Sequence, residues 1–364
     1  MRIHPPRMPV IDSLKAVACI LIVLHHLAYY GPMSDVAYPL MPQAIDWLFA
    51  NGRLAVQVFF VIAGFLMVSK LAPATRSLVI DPVREIRKRY IRLVLPYCAA
   101  LVLSIACAEV ARGWMTHDSV PATPELLQLI AHVLLLQGLL GYESLSAGVW
   151  YVAIDFQLFA VTALLLRLST HIEGRFPAMP SSAPAFIAAL TVASLFVFNR
   201  NAWWSETALY FFGAYGLGAL GYWAATRRRS LMWMALLGSL VLAALMVDFR
   251  TRIAVAGVTM LMLGLALNYA LLERLPMPQF MLDLGRRSYS IFLVHFPVCL
   301  IVNAAFYRFL PQQPWVAVVG MLTALVASLM TGALLYKWIE NPVPGNAIPA
   351  VFVASPVLVD VVGK

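Results

Sequence analysis

Asp12, Lys15, His25 and His26 sit in a membrane-length apolar run, Ile11 to Tyr30, and are the side chains of this sequence best placed to do chemistry. Ionisable groups are costly in hydrocarbon, which makes them functional candidates by default. On a helix each residue turns the direction by about 100°. Measured from Asp12, Lys15 lies at about 300°, Cys19 at about 340° and His26 at about 320°, whereas His25 falls at about 220°. One polar stripe therefore runs the length of the helix. At about 1.5 Å per residue, Asp12 and His26 stand about 21 Å apart along it, most of a bilayer core. That geometry suits a device connecting two sides of a membrane.

Further groups that can do chemistry occur in other apolar runs. With the topology derived below, His26 lies about 6 Å from the outer end of its span, and Asp155 about 9 Å below the outer start of another. At similar depth, the two can share a cavity in which Asp155 orients His26 as a general base for a hydroxyl. An intramembrane His also serves as an interhelical hydrogen-bond partner, whereas a buried carboxylate needs a partner or a proton. Arg89 and Arg92, within REIRKRYIRLVLPY, share a helical face at the membrane boundary and suit a phosphorylated cytoplasmic ligand. The alternative is a topogenic anchor touching anionic lipid. Asp12 and Lys15 belong to the same end, where they also suit an ion pair at a helix start.

The run LGRRSYSIFLVHFP carries His295 about 10 Å below the cytoplasmic surface, read as a packing and hydrogen-bonding group, and Pro297, which frees a backbone carbonyl. His132 is a candidate substrate contact near the outer surface. Gly64, among bulky neighbours, permits close helix approach. His4, His117 and His171 fall in predicted loops with no constellation around them. The four cysteines lie in apolar runs as small hydrophobes, and no disulfide framework, zinc spacing or other metal site is visible.

The elements that must position these groups are membrane spans. The chain has 364 residues, 62% hydrophobic and 12% charged, with a mean hydropathy of +0.83, far from a soluble domain. An all-α polytopic bundle follows, with membrane lipid around it. Spans are expected at 9–30, 51–71, 90–111, 149–168, 184–198, 207–225, 231–247, 253–272, 288–308 and 315–338. The opening residues lack a cleavage site, so the first span is expected to be retained. The basic runs at Arg84 to Arg92 and Arg227 to Arg229, with Arg167, Arg175, Arg274, Arg286, Arg287 and Lys337, all fall on one side if ten spans cross and both termini are cytoplasmic. That requires the shorter run Leu126 to Gly141 to be interfacial or re-entrant, since an eleventh crossing would put Arg227 to Arg229 outside. The net charge of +9 is thus topogenic and does not point to nucleic acid.

In their order, Asp12-x-x-Lys15 followed by His26, then FFVIAGF at Phe59 to Phe65, Arg89-x-x-Arg92 with Pro96, the Trp150 to Phe159 stretch, LGRRSYSIFLVHFP with Tyr289 and His295, and Glu340-Asn341-Pro342, the sequence resembles the acyltransferase-3 family of integral membrane acyltransferases. The resemblance covers 1–342 and leaves 343–364 as a short tail. It places His26 at the family's histidine position and Lys15 where an arginine is usual, so a point charge replaces a planar fork. Asp155 stands for a glutamate, with Phe156 in place of a neighbouring acid, and Ala63 stands where a serine is common.

The resemblance implies a multi-pass protein of the bacterial inner membrane that transfers an acetyl group from cytoplasmic acetyl-CoA, a co-substrate and not a bound cofactor. The acceptor implied is a sugar hydroxyl of an exported or envelope polysaccharide or lipid-linked oligosaccharide. In length and single-domain organisation the chain is similar to bacterial exopolysaccharide acetyltransferases, including mannose acetyltransferases of xanthan synthesis. On that reading His26 and Asp155 are catalytic, with His26 either a general base for the hydroxyl or a nucleophile that briefly carries the acyl group, and Asp12, Lys15, Arg89 and Arg92 bind the donor. Trp150, His132, Tyr289, His295 and Glu340 contact substrate or hold the structure. Two rivals use the same residues: a proton-coupled transporter with His26 and Asp155 as a relay, and a non-catalytic subunit of glycan export.

Overall fold

The computed structural model describes residues 8–79, 81–176 and 181–342, so His4 and the tail 343–364 lie outside it. Among the described residues the regular structure is helical: α1 Pro9–Tyr29, α2 Met33–Ala37, α3 Pro42–Asn51, α4 Ala55–Leu71, α5 Pro82–Trp114, α6 Leu126–Val133, α7 Val149–Arg175, α8 Ala183–Phe196, α9 Ala208–Ala225, α10 Ser230–Val247, α11 Thr251–Asn268, α12 Leu271–Arg274, α13 Gln279–Phe309 and α14 Pro314–Leu335. Helices satisfy their own backbone polar groups, as a lipid environment demands. Proline opens α1, α3, α5 and α14 at the position where its missing N–H costs nothing, and Asp81 caps α5 by accepting the Arg84 amide at 3.1 Å.

Nine helical segments among the described residues are long and apolar enough to cross a membrane by length and composition. With α9 these account for the ten expected spans. The tyrosines and glycines of α9 lower its hydropathy, yet every residue in it except Leu209 and Tyr222 is buried, against α4, α7, α8, α10 and α11. Small residues let helix backbones meet where lipid gives apolar surface no reason to hide. A Cβ on Gly64 would overlap the Tyr215 carbonyl of α9, and one on Gly218 would overlap the Val61 carbonyl of α4.

Contacts between loops show the alternation of the helices. Ser181, before α8, donates to Thr75 O at 2.7 Å, and Ser230, the first residue of α10, donates to Asn268 at 2.7 Å. At the other end Arg250 donates to Asn199 at 2.8 Å, and Asn303 of α13 donates to Tyr30 O at 3.3 Å. The basic runs thereby collect at one end, which the positive-inside rule assigns to the cytoplasm. The run Leu126 to Gly141 is not a span. Only its first eight residues form a helix, α6, after which the chain folds back. Gln128 binds Glu143 O at 2.9 Å, and Leu145 N–H donates to His132 Nε2 at 3.1 Å.

The α4–α9 contact predicts that Gly64→Ala lowers the melting temperature in detergent, through an overpacking cost of about 1–3 kcal/mol. Gly238→Ala is the control, because a Cβ there meets nothing within 4 Å. Its melting temperature should match or slightly exceed that of the wild type.

Candidate active site

The polar stripe of α1 is the face that packs on α13. Gly285 lies against the Asp12 carbonyl, which would overlap a Cβ there, Cys19 Sγ donates to Ser288 O at 3.5 Å, and His26 meets His295. Counted from Gly285, level with Asp12, His295 stands about 15 Å up the helix, close enough for its ring to reach that of His26.

The two imidazoles form a dyad whose proton positions follow from their partners. His295 Nδ1 lies 2.6 Å from the Phe292 carbonyl, an obligate acceptor, so the proton is on Nδ1 and Nε2 offers a lone pair. His26 Nδ1 lies 2.9 Å from that Nε2 and 3.0 Å from Ile22 O, and hence carries the shared proton. Nε2 of His26 is left with the free lone pair. Tyr30 stacks on the His26 ring at 5.6 Å and 12°.

His26 lines a cavity of about 600 Å³ at the outer end, together with His25, Tyr29, Tyr30, Trp150 and Ser146. His25, off the stripe, still reaches this cavity, with Nδ1 2.9 Å from Leu48 O. A second cavity of about 680 Å³ opens at the basic end, where Asp12, Lys15, Lys70, Arg89, Arg92 and Arg286 line it beside Asp155, Tyr289 and Glu340. Phe292 borders both. With Tyr151, whose ring is 5.1 Å away, it forms an aromatic septum between them.

Asp155 does not orient His26. Its Oδ2 accepts from Arg89 Nη2 at 2.5 Å in the basic cavity. The cause is the starting level of α7. A Cβ on Gly148 would lie 2.9 Å from the Phe292 carbonyl, so α7 begins halfway down the bundle and not at its outer surface. Asp155, seven residues on, is carried about 10 Å further toward the cytoplasm. Burying a charge is costly unless it is paired, and Arg89 is the pair.

The remaining candidates divide between the cavities and the framework. Asp12 and Lys15 form an ion pair at 3.4 Å facing the basic cavity. Arg92 lines the same cavity in no salt bridge among the described residues, whereas Arg89 also lies over the Phe159 ring at 5.6 Å. Glu340 accepts from Ser290 Oγ at 2.6 Å and Tyr289 donates to Leu93 O at 3.0 Å. Trp150 reaches the outer cavity. His132 does not: it is fully buried, with Nδ1 2.8 Å from Gln128 O and Nε2 accepting from Leu145, which makes it a fold element of the α6 turn and not a surface contact. Ser146 carried no sequence signal, Tyr30 only closed the first apolar run, and Phe292 passed as one apolar residue of LGRRSYSIFLVHFP, since nothing in their types or spacing marks a cavity wall.

A family model described as an acyltransferase domain matches residues 8–333, which include the dyad, the outer cavity and the wall of the basic cavity apart from Tyr336, Glu340 and Asn341. The chain belongs to the acyltransferase-3 family. It is a membrane acyltransferase. Comparison with curated proteins and with solved structures found no match.

The charge pair yields a prediction about coupling in this acyltransferase. In thermal unfolding, Arg89→Ala and Asp155→Ala should be non-additive by about 0.5–3 kcal/mol, as contacting residues are. His26→Ala and Asp155→Ala should add to within about 0.5 kcal/mol.

Proposed function

We propose that the protein is an O-acetyltransferase of a bacterial inner membrane, moving acetyl from cytoplasmic acetyl-CoA to a sugar hydroxyl of an exported or envelope polysaccharide. The observation that carries this reading is the pairing of a basic cavity with a histidine cavity across one septum at Phe292. Arg92 and Lys15, with Arg89 held by Asp155, suit the diphosphate of a CoA-type donor. Its long arm would then extend toward Phe292, bringing the thioester to the histidines.

The outer cavity supports a glycan acceptor. Tyr29 and Phe49 stack at 5.1 Å and 17° at its side, a flat apolar surface for a sugar face, and Asp118 and Glu143 offer carboxylates to hydroxyls. In the reaction the acceptor oxygen bonds to the thioester carbonyl carbon while its proton passes to His26 Nε2. The C–S bond then breaks, and the departing thiolate takes that proton from the imidazolium. His295 holds the His26 ring and keeps its Nε2 aimed at the hydroxyl.

Transfer of radiolabelled acetyl from acetyl-CoA to glycan by the purified protein tests this. His26→Ala should lower the rate by about 10²–10⁴-fold, the usual contribution of a general base. Unaltered transfer in that variant would sink the assignment, and ligand flux without acetyl transfer would favour a transporter. Removal of the free guanidinium in Arg92→Ala should raise the KM for acetyl-CoA by about 10-fold or more and leave kcat near its original value, in line with loss of a charge-assisted contact.

A further inference from the structure

Acyl transfer places negative charge on the thioester oxygen as the hydroxyl adds, and that charge needs hydrogen-bond donors. We propose that the Ser146 hydroxyl and the open N-terminus of α7 form the oxyanion site of the outer cavity. The proposal rests on the acyl-transfer reading above and assigns its missing donors.

Two independent observations meet here. The first is α7 itself, 27 residues long, whose start at Gly148 has no side-chain cap. A helix start presents unpaired amides and positive partial charge, and this one lies inside the bundle instead of in water. The second is Ser146, which is 2% exposed, with an Oγ that has no hydrogen-bond partner among the described residues. Buried polar groups are normally satisfied, so an orphaned hydroxyl on a cavity wall points to a missing acceptor. Ser146, Trp150 and His26 line the same cavity.

The Phe292 carbonyl ties this helix start to the dyad. It accepts the His295 Nδ1 proton at 2.6 Å, and the bare Cα of Gly148 packs against the same oxygen. One backbone group thus fixes both the base and the donors relative to α13. As the acceptor oxygen adds and its proton moves to His26 Nε2, the carbonyl π pair becomes a lone pair on oxygen. Ser146 O–H and the first-turn amides of α7 beyond Val149, whose own N–H is held by Ser146 O at 3.3 Å, donate to it. The pair then re-forms the carbonyl as the C–S bond breaks, and the thiolate takes the proton from His26.

The test is steady-state kinetics of full-length protein in lipid nanodiscs, with acetyl-CoA and chemically deacetylated envelope glycan. Ser146→Ala should lower kcat by about 10²–10³-fold, the loss typical of one oxyanion donor. The KM values should stay within about twofold, since the contact belongs to the transition state. Ser146→Thr, which keeps a hydroxyl, should recover most of the rate. A kcat equal to wild type in Ser146→Ala, in a preparation where His26→Ala is inactive, overturns this assignment alone. So does a loss that Ser146→Thr leaves unrepaired at an unchanged melting temperature. Absence of transfer by the wild-type protein overturns the acyl-transfer reading and this assignment together.

Discussion

The packing of α1 on α13 is the constraint on which the other features depend. The Asp12 backbone occupies the space a side chain at Gly285 would need, Cys19 reaches Ser288 O, and His26 meets His295. These contacts hold two long helices at one relative depth. A polar stripe in hydrocarbon must be covered by a partner that can bond to it, and α13 supplies a carbonyl and an imidazole along its length. The cavities then form toward the two ends of this interface, with Phe292 of α13 between them.

Charge is distributed unevenly across that septum. On the basic side, cations outnumber carboxylates, and Asp155 secures α7 to α5 through Arg89. The outer cavity is bordered instead by a pair of imidazoles whose partners within the bundle are carbonyls and each other. An imidazole partner fixes its neighbour's ring without burying a second formal charge beside it, which matters where desolvation is expensive. The Asp155–Arg89 pair follows from the level at which α7 starts, and that level is permitted by the absence of a side chain at Gly148.

Burial in this bundle does not track hydrophobicity. In α10, whose mean hydropathy is among the highest of the spans, only Met234, Val241 and Ala244 are buried. The less apolar α9 sits at the centre, where Gly64 and Gly218 bring it against α4 and Trp223 Nε1 donates to Ala72 O at 2.7 Å. Lipid is as good a solvent for leucine as protein is. Close packing and hydrogen bonds therefore decide which helix goes inside.

The amino-acid sequence by itself determined the membrane spans, their number and their alternation, because hydrocarbon admits little else and basic residues mark one side. It also determined the stripe on α1 and the gathering of Asp12, Lys15, Arg89 and Arg92 at one end, which follow from helical periodicity within single spans. It did not determine which group stands beside His26. Depth counted along each helix favoured Asp155, on the assumption that α7 starts at the outer surface. Only the tertiary structure lowered that start to Phe292, delivering Asp155 to Arg89 and leaving His295 for His26. The physical reason is that a helix fixes spacing along its own axis, while the axial offset between helices is set by where small residues let backbones meet.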